Sequence, residues 1–378
     1  MSASDKLVAL AAAAMEIGVS KQDVYGTSEP LQAFERDTAA LLGHGAGVFV
    51  ISGVMAQLVA LKVNLGDGGR PTVVLHPTSH LLLHEHDAWK ELTKFEIILA
   101  GEAFRPLTSD DVRTALDSAA ADQTCAVIVE VGQRHIGGDT TPLDDLKAMA
   151  ALCKERGVSL HCDGARIWEA QPYFGIPLDA LAAVFDSIYV SFYKGLGALT
   201  GAMLLGGADF VAAARVWVRR FGGNTYTLLP FHVSCQAALT KVLPSFAHRF
   251  AKLTEVVSAI TGIVAASPCP DAVRFVPPVP TGCLIHIYFA VPSDVATQCF
   301  EAVKDATGIT VLVRIRNAEQ PVGVPPAAAP VAAVAAGGAV SFTEYNMGVA
   351  NAAIGTDVYV RGWTALLEEL ASRVAKTQ

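Results

Sequence analysis

Apolar and polar positions follow two rhythms along the first 245 or so residues. Short apolar, β-branched-rich runs read as buried strands: "GVFVIS" (47–52), "TVVLHP" (72–77), "EIILA" (96–100), "CAVIVEV" (125–131), "VSLHCD" (158–163), "SIYVSFY" (187–193) and "GAMLLGG" (201–207). Between them lie segments with apolar residues at helical spacing, such as "DLKAMAALCKERG" (145–157), which ends on a glycine stop. Strand and helix alternate, which predicts a mostly parallel sheet covered on both faces. Beyond about residue 245 the pattern changes. "VRFVPPVPTGCLIHIYFAV" (273–291) predicts one or two strands, "SDVATQCFEAVKDATG" (293–308) a helix and "ITVLVRI" (309–315) another strand. The expected organisation is a large α/β domain over 1–245, with an N-terminal helical segment at 1–22, and a small α+β domain over 246–378. The Ala/Pro-rich run 321–340 reads as a loop or linker.

Composition narrows the class. A chain of 378 residues exceeds one typical core, and 52% hydrophobic with 17% charged residues excludes disorder. The net charge of −8, with scattered lysines and arginines, gives no footprint for nucleic acid. Seven irregularly spaced cysteines suggest neither a disulfide framework nor a metal site, which fits a reducing compartment, so a cytoplasmic location is expected. "KLVALAAAAM" (6–15) looks like a short signal core, but Glu16 and Lys21 follow without a cleavage site, so it reads as a helix of the fold. No apolar run approaches membrane-spanning length, and no membrane partner is expected.

The chemistry concentrates in a few places. Lys194 in "SFYKGLGALTGAM" (191–203) reads either as a surface lysine at a strand end or as a nucleophile, because Gly195, Leu196, Gly197 and Ala198 leave a shallow space beside the amine. Asp163 ends the run "VSLHCD", where it is either a helix cap or a carboxylate projecting from the carboxyl edge of an open sheet. Ser52 and Gly53 precede a helical pattern and read as a cap or as a phosphate cradle. In "HLLLHEHDA", His80 and His84 share a helical face. Glu85 follows the second histidine rather than the first, and with no third ligand in sight no metal is expected.

Taken together, "HCDGARIWEA" (161–170) and "SFYKGLGALTGAMLLGG" (191–207) resemble the paired signatures of the threonine aldolase and β-eliminating lyase family of fold-type I pyridoxal phosphate enzymes. The similarity extends over "DVYGTSEPLQAFERDTAALLGHGAGVFVISGVMAQLVALK" (23–62), "TSHLLLHE" (78–85) and "RRFGGN" (219–224). It implies pyridoxal 5′-phosphate bound as a Schiff base on Lys194, with Asp163 against the ring nitrogen and His80 stacked on the ring. The phosphate would lie on Ser52, Gly53 and Val54, and Arg166 would hold the substrate carboxylate. Lys194, His80 and Asp163 are the expected catalytic residues; Tyr25, Glu85, Gln133 and Tyr226 join Arg166 as expected substrate contacts.

The chain also departs from the family pattern. The family's N-terminal Arg-Ser-Asp-Thr has no match, and Tyr226 stands where an arginine that helps with the phosphate would be. Arg314, Arg316 and Arg361 are the candidates for the second carboxylate-binding arginine, and Gln133, Arg134 or His135 for the catalytic-histidine region. The resemblance implies an aldolase acting on L-threonine, L-allo-threonine or a bulkier analogue such as phenylserine, as a homodimer or homotetramer with shared active sites. The alternatives are a β-eliminating lyase or aminotransferase, and a catalytically silent binding or regulatory relative.

Overall fold

The computed structural model describes residues 2–19, 21–65, 72–118, 123–317 and 341–377, so the run 321–340 lies outside the described residues. The chain divides into two compact units. The first holds Met1–Gly101, Leu107–Val131 and Thr141–Pro244; the second holds Ser245–Gln378 with two short insertions, Glu102–Pro106 and Gly132–Thr140, from within the expected large domain.

The first unit opens on helix α1 (Ala3–Ile17), closed at its start by a reciprocal Ser2–Asp5 capping box and at its end by left-handed Gly18. The apolar runs become β1 (Ala46–Val50), β2 (Thr72–Leu75), β3 (Glu96–Leu99), β4 (Thr124–Glu130), β5 (Ser159–Gly164), β6 (Ser187–Ser191) and β7 (Ala202–Gly206). They form one sheet in the order β1-β7-β6-β5-β4-β2-β3. The strands β2 to β6 pair in parallel, whereas β7 runs antiparallel to both β6 and β1. The exception follows from loop length. A parallel return needs a crossover of about a dozen residues or more, and residues 192–201, with their three glycines, supply only a tight reversal.

A buried acid ties the edge of this sheet to its helices. Glu35, on α2 (Glu29–Leu41), accepts the Phe49 N–H of β1 at 2.8 Å and receives Arg215 of the helix Ala208–Arg220 at 2.5 and 3.3 Å.

In the second unit β8 (Val273–Val276), β9 (Leu284–Phe289), β10 (Arg316–Asn317) and β11 (Ser341–Asn346) form an antiparallel sheet, order β10-β11-β9-β8. Ile285, Ile287 and Phe289 alternate onto one face and join Leu253, Phe300 and Trp363 in its core, with the Phe289 and Trp363 rings stacked at 6.3 Å. The strand expected over 309–315 does not form. Among the described residues the ladder with β11 starts only at Arg316 and Asn317. Leu312 is buried in the core of this unit with Val311 and Ile315 packed against it, while Val313 is 91% exposed, so the apolar run is used for packing rather than for pairing.

Replacing Glu35 by Ala leaves the buried Phe49 N–H without its acceptor. It is expected to lower stability by about 1–3 kcal/mol in equilibrium denaturation, and an unchanged midpoint would remove this acid from the account of how β1 is anchored.

Candidate active site

The carboxyl ends of β4, β5 and β6 lie side by side in register, which brings the residues that end these strands together. Asp163 is paired in register with Glu130 on one side and Tyr189 on the other. Asp163 is 5% exposed, and both its carboxylate oxygens are met: Oδ1 accepts the Ala165 N–H at 3.0 Å and Oδ2 accepts a hydrogen from Gln57 Nε2 at 2.6 Å. Gln57 belongs to α3 (Gly53–Leu65), which starts where β1 ends.

The first turn of α3 is shaped by close approach. Ser52 Oγ accepts the Met55 N–H at 3.2 Å, as a cap. A Cβ on Gly53 would lie 2.0 Å from the phenol oxygen of buried Tyr189, so a residue with any side chain would have to displace that ring. Burial and the charge of Asp163 push the Tyr189 phenol well above its ordinary titration, so it stays a neutral donor. Val54 follows at the helix start, partly exposed.

His80 begins the short helix α4 (His80–Leu83), capped by Ser79. Its backbone N–H is accepted by Glu130 and its Nδ1 lies 3.0 Å from Glu85 Oε1. Burial disfavours charge on the imidazole, but the Glu85 hydrogen bond and the charges of Asp163 and Glu130 outweigh that and the opposing Lys194, so His80 titrates above its ordinary value. Glu130 thus links His80, whose N–H it accepts, to Asp163, its partner in register on β5. Burial and the negative charge of Asp163 push the Glu130 carboxyl upward, which favours its protonated form.

Lys194 lies in the reversal between β6 and β7, half-buried. The Trp168 indole donates to the Ser191 carbonyl at 2.9 Å, fixing the end of β6, and Thr200 Oγ1 donates to the Ile51 carbonyl at 2.8 Å, tying the loop back to β1. Glu169 lies beneath the turn: a Cβ on Gly195 would come within 2.5 Å of its Oε1. The same carboxylate receives Arg166 Nη1 at 3.1 and 3.2 Å.

The other expected contacts are placed as follows. Tyr25 and Tyr226 meet each other edge to face at 5.4 Å, with 51% and 58% of their surfaces exposed. Tyr25 has a left-handed backbone, φ 54°, and its N–H donates to the Tyr226 carbonyl at 2.9 Å. Asp23 enforces that turn by accepting the N–H groups of Gly26, Ser28 and Leu228. Glu85 lies against His80, and Gln133 lies in the second unit within a tight turn. Also in the second unit, Arg134 pairs with Glu344 at 2.6 Å, Arg316 lies over the Phe342 ring, Arg361 pairs with Asp357, and Arg314 is exposed. Among the described residues no cluster of three His, Cys, Asp or Glu side chains is arranged to hold a metal, and no helix is long and apolar enough to cross a membrane.

Sequence reasoning missed Gln57, Glu130, His161, Glu169 and Ser187. His161 had a signal: two residues before Asp163 on one strand, it shares that residue's face. Gln57 is a lone amide in an otherwise apolar stretch of α3 and is itself buried.

A mostly parallel seven-stranded sheet in one unit and a separate antiparallel sheet in the other are the architecture of fold-type I pyridoxal phosphate-dependent enzymes. The chain belongs to the β-eliminating lyase family, whose sequence model matches residues 3–271. It is similar to a Listeria monocytogenes crystal structure described as an L-allo-threonine aldolase, with 31% identity, TM-score 0.81, and 96% of this chain and 93% of that one covered. It is equally similar to an Exiguobacterium structure described as an aromatic amino acid β-eliminating lyase/threonine aldolase, with 30% identity, TM-score 0.81, and 96% and 94% covered. The low specificity L-threonine aldolase of Saccharomyces cerevisiae is 29% identical over 214 residues, 56% of this chain and 55% of that protein. The chain spans about half to two-thirds of the length of the curated relatives it matches.

Two outcomes test this geometry. Because its titration is raised, His80 contributes stability that is fully present below its ordinary 6.5 and lost as pH rises through the raised value. Glu85→Gln should therefore bring the His80 ring-proton NMR titration down and remove that acid-side stabilisation; an unmoved titration would show that Glu85 does not support the ring. Gly53→Ala should lower stability by about 1–3 kcal/mol in chemical denaturation, through the clash with Tyr189.

Proposed function

We propose that the chain is a pyridoxal 5′-phosphate-dependent aldolase that cleaves β-hydroxy-α-amino acids, L-threonine or L-allo-threonine or a bulkier analogue such as phenylserine, to glycine and an aldehyde. What supports this reading is that Asp163 is in register with Glu130, whose carboxyl accepts the His80 N–H, and that Lys194 follows the end of β6, the strand paired with β5 on its other side.

The residues present fit the cofactor. Its ring nitrogen needs a fixed anion, and Asp163 is a carboxylate held by two donors. Its phosphate needs a helix start without bulk, and Ser52, Gly53 and Val54 open α3 with no Cβ at the middle position. Its aldehyde needs an accessible amine, which Lys194 supplies at a glycine-flanked turn, and its ring face needs a flat partner, which His80 provides. When bound, the group supplies an electron sink for the pair left on Cα.

The chain's residues do the rest. Arg166, steadied by Glu169, offers a guanidinium to the substrate carboxylate. Glu85 accepts from Nδ1 of His80, which leaves Nε2 as the site that takes the proton of the β-hydroxyl. The Cα–Cβ bond then breaks, the hydroxyl oxygen becomes the aldehyde carbonyl, and the pair left on Cα takes up one proton, equal in number to the one Nε2 removed from the hydroxyl, to give glycine. Lys194, at its glycine-flanked turn, is the amine that would hold the cofactor through its aldehyde. Assembly as a homodimer or homotetramer with shared sites belongs to the same reading, supported by the exposed Leu7, Val8 and Met15 of α1.

The test is the visible absorbance of the purified protein, with and without added pyridoxal phosphate, beside Lys194→Ala, followed by product analysis with L-threonine and L-allo-threonine. A visible band that Lys194→Ala changes, with acetaldehyde and glycine formed, is the expected result. Pyruvate and ammonia from another amino acid would replace aldol cleavage by β-elimination, the chemistry in the description of the Exiguobacterium relative. No cofactor uptake at all would leave a silent binding relative.

A further inference from the structure

We propose that Gln57, held by His161 and Ser187, is the positioning residue of the Asp163 carboxylate. The inference rests on reading Asp163 as the partner of the cofactor's ring nitrogen. The four side chains lie on three elements of the first unit: Gln57 on α3, His161 and Asp163 on β5, and Ser187 at the start of β6. Each is almost completely buried.

Ser187 Oγ lies 2.8 Å from His161 Nδ1, His161 Nε2 lies 3.0 Å from Gln57 Oε1, and Gln57 Nε2 lies 2.6 Å from Asp163 Oδ2.

The direction of these bonds is fixed by chemistry. An amide oxygen only accepts, so His161 Nε2 carries the hydrogen it donates to Gln57. Burial pushes the His161 imidazole down to about 4 despite the charge of Asp163, so the ring is neutral and Nδ1 is bare. Ser187 therefore donates its hydroxyl to Nδ1. With Oε1 taken by His161, the Gln57 amide has one orientation, and its NH2 group faces Asp163. The chain of donors runs from Ser187 to the carboxylate without a break. Since Oδ1 takes the Ala165 N–H, the carboxylate is clamped from two directions and its remaining lone pairs have a fixed aim.

A network of this kind could merely fill the core with satisfied polar groups, so the test must read the cofactor and not only stability. Apoprotein is titrated with pyridoxal phosphate, and the pH midpoint of the bound cofactor's visible band is measured for wild type, Gln57→Leu, Gln57→Glu, Ser187→Ala and Ser187→Thr, with apoprotein melting curves beside them. Gln57→Leu should weaken cofactor binding about tenfold, the scale for losing the support of a ligating group, and move the band's midpoint. Gln57→Glu, which sets an acceptor against an acceptor, should do more. Ser187→Ala should show a smaller effect of the same sign, and Ser187→Thr, which keeps the hydroxyl, should restore both quantities. Should the Gln57 variants fail to fold, the Ser187 pair decides. Unchanged binding and midpoint in folded variants, with a normal band in wild type, overturns the positioning role and leaves the cofactor reading intact. A wild type that takes up no pyridoxal phosphate overturns both.

Discussion

Placing a carboxylate inside a parallel sheet costs on the order of several kcal/mol unless donors and nearby charges meet it, and the first unit is arranged around that requirement at Asp163. A backbone N–H takes one oxygen and the Gln57 amide the other. Gln57 can reach because α3 starts at the end of β1 and packs across the sheet face toward β5. Its position therefore depends on Gly53, where the helix passes against the Tyr189 phenol. The glycine, the amide and the carboxylate form one unit of structure: loss of the close approach at Gly53 would move the donor away from the acid.

The concentration of negative charge at this edge also explains the neighbouring groups. Glu130 and Asp163 are paired in register on adjacent strands; burial first, and then the neighbouring Asp163 charge, push Glu130 toward its neutral form. At His80 burial works against the charged ring, and the Glu85 hydrogen bond with the charge of Asp163 outweighs it, so the imidazole titrates above its ordinary value. One buried anion thus biases an acid and a base beside it in the same direction, on top of burial at the acid and of the Glu85 hydrogen bond at the base. Both of these groups are held to each other through the His80 backbone, whose N–H Glu130 accepts.

Much of the large unit was legible in the sequence because its strands are short apolar runs that only a doubly covered sheet can use, and the helices between them carry ordinary start and stop signals. The single antiparallel strand was legible only indirectly, in the shortness of 192–201. The second unit was harder to read. "ITVLVRI" has the composition of a strand but no ladder partner among the described residues, and pairing is a property of the fold rather than of the run. Within the site, residues that alternate along one strand or follow a turn signal could be picked out: Asp163, Lys194 and the Ser52–Gly53 start of α3. Those that act through a second element could not. Glu169 matters because it lies between Arg166 and the Gly195 turn, and neither distance is encoded in its neighbours.

The separation between the residues that touch a ligand and those that hold them has a physical origin. A group at a strand end is placed by the strand itself, so its address is local. The orientation of its last torsion is decided by whatever donor reaches it, and here that donor comes from more than a hundred residues away in the chain, from Gln57 to Asp163. Such a partner cannot be inferred from spacing, but it leaves a trace that can be: an uncompensated polar residue on a helix face that ought to be apolar. In α3 that residue is Gln57, flanked by Ala56 and Leu58, and burying its amide would be costly without two partners. The existence of those partners is therefore implied by the helix sequence, and the fold supplies their identities, His161 and Asp163.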